Sequence, residues 1–446
     1  MSQPQRHIAH FDLDAFFVSV ECILDPSLKG LPLLVGGHSD RGVVAACSYE
    51  ARKYGIHSAM PMKTALRLCP HATVVGSTRG AYSKYSRWVT EIIAAKAPLF
   101  EKASIDEFYL DLTGMDRFFN PYQWTVDLRE EIIKATGLPI SFALASNKMI
   151  AKIATDEAKP NGYLHVPAGM EQEFLAPLKV NKIPGVGEQT YRALQEMGIV
   201  TIRDLGLRPA EELERRFGRY GQELWNKSRG IHTGEVVPYH EAKSISTENT
   251  FQENTTDLEF LMAELVRMTE RVAYELRQDQ RPPTADWTKA NHETSGEDGV
   301  LSRDPVFSGY RTTGCIAVKI RYGDFETTSR QTSIPYTFYD DELIAKAKEL
   351  FHQLWRKGTP IRLMGVRLSE LFGGTEVTKV PGEGEQGTTL YRCPVQTNLF
   401  QDTEKKNKLY QAIDEVKNKF GKYSIVKAGG LEKGEEERKE DETSGD

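Results

Sequence analysis

The spacing of apolar residues follows two different periods along residues 1–167. Short apolar or β-branched runs, bounded by glycine or turn residues, predict strands. Longer stretches with apolar residues every three or four positions predict helices between these strands. We therefore expect a mixed α/β body, with strands at 7–11, 31–37, 43–48, 108–111 and 140–145 and helices from about 15 and at 62–69, 82–96 and 126–135.

The pattern changes after Pro167, and the rest of the chain predicts further domains. Residues 168–233 are helix-rich with short glycine turns, and a β-rich region surrounds a long helical pattern at 258–277. A polar segment at 282–312 resembles a surface insertion, and a glycine-rich linker at 373–389 precedes a charged amphipathic helix near 404–420. This order predicts an α+β multidomain protein.

Length and composition add limits to this picture. A chain of 446 residues corresponds to roughly three domains at about 150 residues each. No stretch approaches the roughly 20 apolar residues of a membrane span, and the start has no secretory apolar segment, so we expect a cytoplasmic protein without a membrane partner. Five cysteines without CxxC spacing argue against a disulfide scaffold and a structural zinc site.

The net charge of −6 is unevenly distributed. Residues 431–446 hold eight acids against three bases, so the first 430 residues are close to −1. A nearly neutral body can still carry local basic faces, and the total charge therefore does not exclude a nucleic-acid partner.

Three acidic residues lie where the predicted strands end. Asp12 precedes a helix, and the adjacent Asp106 and Glu107 lie between two strand-like runs. Two or three carboxylates that converge, with other positions left to phosphate and water, suit Mg²⁺. Any one of these acids, taken alone, is more often a turn former or a solvated charge. Apolar neighbours on both strands favour the metal interpretation.

Four motifs occur in the order found in one protein family. They are FDLDAFF from residue 11, CSYEARKYGIHSAMP from 47, SIDEFYLD from 104 and SNKMIAKIATDEAKPNG from 146. With these motifs the chain resembles the Y-family translesion DNA polymerases, and it looks like their DinB branch, over residues 7 to about 372. The resemblance implies a low-fidelity, DNA-templated DNA polymerase without proofreading, which adds deoxynucleotides to a primer 3′-hydroxyl.

The resemblance also implies a right-hand polymerase. The expected domains are a palm, fingers, a helical thumb with a helix-hairpin-helix, a β-rich little finger and a flexible C-terminal tail. Their expected bounds are 1–12 and 78–167 for the palm, 13–77 for the fingers, 168–238 for the thumb, 239–372 for the linker and little finger, and 373–446 for the tail with its acidic end.

The catalytic residues follow from the same resemblance. Asp12, Asp106 and Glu107 match the family's metal-binding acids, with the main-chain carbonyl of Leu13 as a further ligand of two Mg²⁺ ions. Asp14 is adjacent, but we expect its side chain to point elsewhere if Asp12 faces the metals. We therefore leave Asp14 out of the catalytic set.

Other positions match the family's nucleotide-binding residues. Tyr49, Arg52 and Lys159 match its triphosphate-binding residues, and Phe17 matches its aromatic steric gate against ribonucleotides. From the pattern alone, Arg52 could be a solvated helix residue and Phe17 a core residue. Many relatives carry a threonine where this chain has Ala46, so one phosphate contact is expected to be missing. Small residues that match the roof over the nascent base pair are Gly37, Val43 and Ala59.

Two regions are candidates for binding primer-template DNA without reading its sequence. The IPGVG segment, with Gly185 and Gly187, is typical of a helix-hairpin-helix whose backbone N–H groups bind phosphate, although it could be only a tight turn. In the second β-rich region, basic residues alternate with apolar ones and predict a basic sheet face, or alternatively an ordinary solvated one. These residues are Lys319, Arg321, Arg362 and Arg367.

A short apolar segment follows the glycine-rich linker. Gln396, Leu399 and Phe400 have the Q-x-x-L-F form of the peptide that binds the replication sliding clamp in bacterial polymerases, and the alternative is a piece of local structure. We assume a monomer. Two other functions are compared with polymerisation: a DNA- and clamp-binding protein without catalysis, which the intact acids disfavour, and a nucleotide cyclase, which would need neither the IPGVG turn nor the little finger.

Overall fold

The computed structural model describes residues 5–37, 39, 41–238, 241–279, 310–372, 377–378, 390–391, 403–422 and 424–430. The chain divides into two compact units, Met1–His240 and Glu241–Asp446. No helix in these described ranges is both long and apolar enough to cross a membrane. Most of the predicted insertion 282–312 and all of the peptide 396–400 lie outside the described residues.

A five-stranded sheet forms the centre of the first unit. Its strand order is β5-β6-β1-β7-β8, and β1 pairs antiparallel with both β6 and β7. Every residue of β1 is buried, because β1 lies between two other strands and helices cover the sheet. The strands are β1 (Ile8–Leu13), β5 (Phe100–Lys102), β6 (Glu107–Asp111), β7 (Ile140–Ala145) and β8 (Tyr163–His165).

Helices pack on this sheet through a continuous apolar core that includes Phe11, Phe108 and Phe142. The helix predicted at 126–135 begins five residues earlier than expected. Asn120 caps its first turn by accepting the N–H groups of Tyr122 and Gln123, and a proline occupies the first helical position. The helices are α1 (Phe16–Leu24), α4 (Ala81–Ala94), α5 (Pro121–Thr136) and α6 (Lys148–Ala158).

A smaller three-stranded sheet carries the second motif of the sequence. Its order is β3-β2-β4, with β2 antiparallel to β3 and parallel to β4. It has its own small core around Leu34, Val44 and Cys47. The elements are β2 (Leu33–Gly36), β3 (Val44–Cys47), α2 (Tyr49–Arg52), α3 (Met62–Leu68) and β4 (Thr73–Val75).

The rest of the first unit is helical, as the sequence predicts. Short helices surround a core that includes Ile183, Leu194 and Leu224. They are α7 (Glu171–Leu175), α8 (Glu188–Glu196), α9 (Ile202–Gly206), α10 (Ala210–Phe217) and α11 (Arg219–Ser228).

The second unit is an antiparallel four-stranded sheet packed on helices. Its order is β11-β10-β12-β9, and Ile316, Val318 and Ile320 of the central strand β10 point into the core. The elements are β9 (Ser244–Thr255), α12 (Leu258–Gln278), β10 (Thr312–Tyr322), β11 (Thr327–Thr337), α13 (Asp340–Leu354), β12 (Ile361–Phe372), β13 (Val377–Thr378) and β14 (Leu390–Tyr391).

The helix predicted near 404–420 is present as α14 (Thr403–Phe420). It packs on the second unit through Tyr410, which is 3% exposed. Arg277 of α12 forms ion pairs with Asp414 of α14 and Asp340 of α13, at 2.8 and 2.7 Å. Part of the segment assigned to the tail is therefore integral to the second unit.

Candidate active site

Strand pairing brings two of the predicted acids together. Asp12 at the end of β1 is the direct partner of Glu107 on β6, and of Ser141 on β7. The Asp12 side chain is buried, whereas Glu107 remains partly exposed. Ligand atoms of His10, Asp12 and Glu107 all lie within 4.8 Å of one another. The sheet itself thus sets the geometry of this acidic centre.

Each carboxylate of the centre has its own lysine. Lys159 Nζ lies 2.5 Å from Asp12 Oδ2, and Lys152 Nζ lies 2.6 Å from Glu107 Oε1. Burial raises the pKa of Asp12 to about 7, and Lys159 opposes this rise. His10 and Lys152 lower the pKa of Glu107. The His10 contact, at 3.9 Å, is too long for a hydrogen bond, so we assign most of that lowering to Lys152.

His10 is a member of the centre that sequence reasoning missed. Its ring is fully buried beside Tyr109, with a centroid distance of 4.6 Å, and burial lowers its pKa. Neither ring nitrogen has a hydrogen-bond partner within the described part of the chain. The available signal was its position: two residues before Asp12 on one strand, so that both side chains point to the same face.

Asp106 lies beside this centre but outside the cluster of His10, Asp12 and Glu107. Its Oδ1 accepts a hydrogen bond from Ser104 Oγ at 2.5 Å, and its carbonyl accepts the N–H of Leu13 at 3.1 Å. It is close enough to add to the raised pKa of Asp12. The β5–β6 turn therefore carries Asp106 next to the end of β1.

The chemistry of these donors fits a divalent cation. Asp12 and Glu107 offer carboxylate oxygens, and Asp106 adds a third carboxylate nearby. A buried carboxylate with a raised pKa gains most from a cation, because the cation offsets the loss of hydration. Oxygen donors in this number suit a hard ion that keeps other positions for phosphate or water.

The predicted triphosphate residues lie on two elements of the first unit. Ser48 caps α2 by accepting the N–H of Ala51, and this short helix carries Tyr49 and Arg52. The Arg52 guanidinium lies over the Tyr49 ring, 4.6 Å from its centroid. Lys159 ends α6 and contacts Asp12. Ala46 lies half-buried on β3 and offers no hydroxyl.

An open cleft lies between Tyr49 and the turn that follows Lys159. Gly162 in this turn has no room for a side chain, because a Cβ atom there would lie 2.0 Å from the carbonyl oxygen of Ala158. Pro160, Asn161 and Asp14 also line the cleft. The turn is thus packed closely against the end of α6.

Phe17 is half-buried and stacks on Tyr82, with a centroid distance of 4.2 Å and an interplanar angle of 15°. The Tyr82 hydroxyl donates a hydrogen bond to the buried Glu21. Burial and Glu21 raise the pKa of Tyr82 to about 12, so the phenol keeps its proton. Phe17 therefore contacts the core on one side without being fully enclosed by it.

The predicted roof residues lie on neighbouring segments around β2 and β3. Val43 is 52% exposed and forms a bridge with Pro61. Ala59 has a positive φ of 68°, and its N–H donates to the carbonyl of Val44. Gly37 follows β2 and is exposed. All three positions are exposed and lie in segments that border the three-stranded sheet.

The IPGVG segment forms a tight turn before α8, which begins after Gly187. Gly185 has a φ of 96°, a conformation that glycine adopts without strain. The Gly185 carbonyl accepts the Tyr220 hydroxyl at 2.8 Å, and the Pro184 carbonyl accepts Lys227 Nζ at 2.9 Å. The turn is thereby fixed to α11.

Alternation on β10 directs Lys319 and Arg321 away from the core of the second unit. Arg367 on β12 is exposed and pairs across the sheet with Ala317. Lys319 forms an ion pair with Glu248 at 2.8 Å. The basic outer face is therefore partly neutralised by an acid of β9.

Arg362 is placed differently from the other three basic residues. The register of β12 against its neighbour shifts between Ile361 and Leu363. The Arg362 guanidinium lies 4.6 Å from the ring centroid of Phe325, which is exposed in the turn between β10 and β11. Gln396, Leu399 and Phe400 lie outside the described residues.

Three family models match consecutive parts of the chain. They are the impB/mucB/samB family over residues 11–156, a DNA polymerase-iota thumb domain over 181–232, and the impB/mucB/samB family C-terminal domain over 242–388. The order of these matches follows the chain through both compact units.

Curated relatives and solved structures agree with these models. A DNA polymerase IV of Desulfatibacillum aliphaticivorans is 34% identical, over 94% of this chain and 96% of its own. One of Methanoculleus marisnigri is 36% identical, over 84% and 97%. A Y-family polymerase chimera of Dbh and Dpo4 has a TM-score of 0.68 at 26% identity, covering 82% of this chain and 99% of its own.

A second solved structure, an insertion ternary complex of Dbh DNA polymerase, has a TM-score of 0.56 at 26% identity, covering 81% of this chain and 98% of its own. These findings confirm the resemblance and the right-hand polymerase fold expected from the four motifs. The chain belongs to the Y family of DNA polymerases, in its DNA polymerase IV branch, and is a DNA-directed DNA polymerase of the low-fidelity translesion type.

Proposed function

We propose that Asp12, Asp106 and Glu107 hold two Mg²⁺ ions, with the Leu13 carbonyl as a further ligand. The observation that carries this proposal is the direct pairing of Asp12 with Glu107 on adjacent strands, which places both carboxylates in one cluster. When bound, Mg²⁺ would make the primer 3′-hydroxyl more acidic and stabilise the charge of the departing pyrophosphate. Strand pairing supports this proposal for Asp12 and Glu107, because it holds the two together without a bound substrate.

We infer that Tyr49, Arg52 and Lys159 bind the nucleoside triphosphate. Tyr49, whose ring lies under the Arg52 guanidinium, lines the cleft, and so does Pro160, which directly follows Lys159. Two cations placed next to this cleft can neutralise phosphate charge as it develops during transfer. Lys159 contacts Asp12 Oδ2, so a cation on that oxygen would leave the lysine ammonium to the phosphates. With Ala46 on β3, this chain supplies one hydroxyl fewer than relatives with threonine.

The Phe17 ring is proposed to exclude the 2′-hydroxyl of ribonucleotides. Its stacking on Tyr82 supports this role, because a braced ring cannot move aside at low cost. Replacing Phe17 by Ala should raise the kcat/KM of ribonucleotides relative to deoxynucleotides, and an unchanged ratio in a folded variant would assign Phe17 to the core. The small residues Gly37, Val43 and Ala59 would leave the nascent base pair loosely enclosed, which suits damaged templates.

The remaining assignments concern the DNA and its replication context. We propose the domain bounds expected from the sequence for the palm, fingers, thumb and little finger. We also propose that Gly185, Gly187 and the basic sheet face bind the primer-template backbone. The basic face comprises Lys319, Arg321, Arg362 and Arg367. We also propose that the protein acts as a cytoplasmic monomer.

The peptide with Gln396, Leu399 and Phe400 is proposed to bind the sliding clamp. A leucine and a phenylalanine can enter an apolar pocket while the glutamine supplies hydrogen bonds. Changing Leu399 and Phe400 to Ala should abolish clamp-stimulated synthesis on a long circular template and leave extension of short primers unchanged. Equal stimulation of both proteins would contradict the assignment.

Primer extension with Mg²⁺ tests the metal assignment. Glu107→Ala and Asp106→Ala should each lower kcat by at least about 10³-fold, while DNA affinity stays within a few-fold, because the acids hold the metal and not the duplex. Asp111→Asn is the matched control, since this acid of the same strand accepts a local hydrogen bond from the Thr113 N–H and lies at the opposite end of β6 from Glu107. Extension by either alanine variant near the wild-type rate would refute the assignment.

A further inference from the structure

Asp14 is a buried carboxylate next to the active centre that the assigned mechanism does not use. It is 2% exposed and lies in the turn between β1 and α1. β1 ends at Leu13, and the adjacent Ala15 has a positive φ of 43°, so Asp14 lies where the chain turns from the strand into α1. The Asp14 carboxylate faces the cleft beside Tyr49 instead of the metal-binding acids.

Three neutral groups donate hydrogen bonds to the Asp14 carboxylate. Tyr49 Oη lies 3.2 Å from Oδ1, Ser141 Oγ lies 3.0 and 2.9 Å from the two oxygens, and the Asn161 N–H lies 2.8 Å from Oδ2. A carboxylate accepts from all three groups at once. An asparagine amide would turn its NH₂ group toward one of them, so that a hydroxyl there must accept where it now donates, and it would remove the negative charge that these donors face.

The first connection from Asp14 leads to Arg52. Burial and Asp14 both raise the pKa of Tyr49, so its hydroxyl keeps the proton that it donates to Asp14. The Tyr49 ring is in turn the surface over which the exposed Arg52 guanidinium lies. Fixing the tyrosine therefore restricts where the arginine can reach.

The second connection leads to Lys159. Asn161 has a positive φ of 51° and is held from two sides, because Asp14 accepts its N–H and Arg129 donates to its carbonyl at 3.0 Å. Gly162, the next residue, donates its N–H to Ser141 Oγ at 3.2 Å. The chain directly after Lys159 is therefore tied to the same carboxylate and its serine.

We propose that Asp14 is a positioning residue that fixes the positions of both phosphate-binding cations. It acts on Arg52 through Tyr49 and on Lys159 through the Asn161 turn. The proposal rests on the assignment of these two cations to the nucleoside triphosphate. Asp14 itself does not touch the nucleotide. It joins two chain segments that are more than 100 residues apart, so that both cations face the triphosphate in one fixed geometry.

Single-nucleotide insertion by Asp14→Asn tests this role. We expect KM to rise about 10-fold for each of the four deoxynucleoside triphosphates, because all share the triphosphate, with a smaller change in kcat. The inhibition constant of pyrophosphate should rise similarly, and the dissociation constant of primer-template DNA should not change. A rise for some bases only, or unchanged KM in a folded variant, would overturn the proposal.

A double-mutant cycle tests the connection through the tyrosine. Tyr49→Phe keeps the ring but removes the hydrogen bond to Asp14. If Asp14 acts through Tyr49, the combined variant should raise KM by clearly less than the product of the two single effects. A fully multiplicative effect would overturn this connection.

Two further variants keep the result interpretable. Ser141→Ala removes one donor from the Asp14 carboxylate and should raise KM about 3-fold for all four nucleotides. This variant tests the proposal even if Asp14→Asn fails to fold. An unchanged KM in Ser141→Ala would then overturn the proposal. Arg52→Ala tests the underlying assignment. If Arg52→Ala leaves KM unchanged, the triphosphate assignment fails, whereas a raised KM there with an unchanged Asp14→Asn overturns only the positioning role.

Discussion

Each compact unit contains a cluster of paired charges, and the two clusters differ in their exposure. In the first unit, Asp12 and Glu107 pair with Lys159 and Lys152, and three of these four side chains are 20–26% exposed. In the second unit, Arg277 pairs with Asp340 and Asp414, and all three side chains are at most 4% exposed. The first cluster is open to ligands and the second is closed.

Hydrogen bonding explains the difference. Arg277 donates through Nε and Nη2 to Asp414 and through Nη1 to Asp340 and to the carbonyl of Phe338, and its guanidinium lies over the Tyr410 ring. Burial acts to lower the pKa of Arg277, but the two aspartates outweigh it and raise that pKa. Such a cluster joins α12, α13 and α14 and has little capacity for another partner.

In the open cluster, by contrast, the charged and polar groups are not fully satisfied. The pKa of Asp12 is raised to about 7 although a lysine lies 2.5 Å away, and His10 has two ring nitrogens without partners among the described residues. Groups held in an unfavourable electrostatic state are typical of sites that bind a ligand. Incomplete satisfaction, more than burial, therefore separates the functional cluster from the structural one.

Removing the arginine of the closed cluster should produce the largest change in stability. Arg277→Met leaves two buried carboxylates without a cation and should lower the free energy of unfolding by about 3–5 kcal/mol. Thermal and urea unfolding measure this loss, and amide hydrogen exchange should show that α14 loses protection. Arg271→Met on the same helix is the control: its pair with Glu275 is 36–44% exposed and should contribute at most about 1 kcal/mol. Equal effects of the two variants would remove the distinction between the clusters.

Neutralising Asp12 of the open cluster should raise the free energy of unfolding, by less than the loss of Arg277 lowers it. The folded pKa of Asp12, about 7, exceeds its unfolded value, so the folded state binds more protons between about pH 4 and 7 and loses stability as pH rises through that window. In buffer with a metal chelator at pH 8, Asp12→Asn should therefore raise the free energy of unfolding by roughly 1–2 kcal/mol. At pH 4 the same change should raise it little.

Added Mg²⁺ provides the second arm of the same experiment. It should raise the Tm of the wild type by a few degrees, because a ligand that binds only the folded state stabilises it, and it should affect Asp12→Asn less. Differential scanning calorimetry with and without Mg²⁺ gives both numbers. Destabilisation of the variant at pH 8 would show that the Lys159 pair outweighs the cost of burying the carboxylate.

The two clusters also differ in how far the sequence predicts them. Asp12 and Glu107 are predictable because each stands in a short motif at a strand end. Lys152 could have been found as well, since it lies two helical turns before Lys159 on the same face of α6. His10 could have been found from the alternation along β1.

The closed cluster and the role of Asp14 are harder to predict. Arg277 and Asp414 lie 137 positions apart on amphipathic helices, where charged residues ordinarily face solvent. Asp14 and Ser141 are 127 positions apart, and their contact depends on the pairing of β1 with β7, which no local pattern indicates. Contacts of this kind are set by tertiary packing, so local propensity and motif spacing contain little information about them.

The outer face of the second unit provides the smallest expected effect, because its charges are exposed. Lys319→Ala and Arg367→Ala should leave stability within about 0.5 kcal/mol and weaken DNA binding only a few-fold. If each residue contacts a phosphate, each change should reduce the slope of log Kd against log salt by about 1, equally for unrelated DNA sequences.

Glu248→Gln is the matched control, and its expected effect on DNA affinity is opposite: it releases Lys319 from its ion pair and should tighten binding. Titration of labelled primer-template at several salt concentrations measures these slopes. Unchanged slopes in both basic-residue variants would show that this face does not lie along the duplex, and that Lys319 serves only its exposed ion pair with β9.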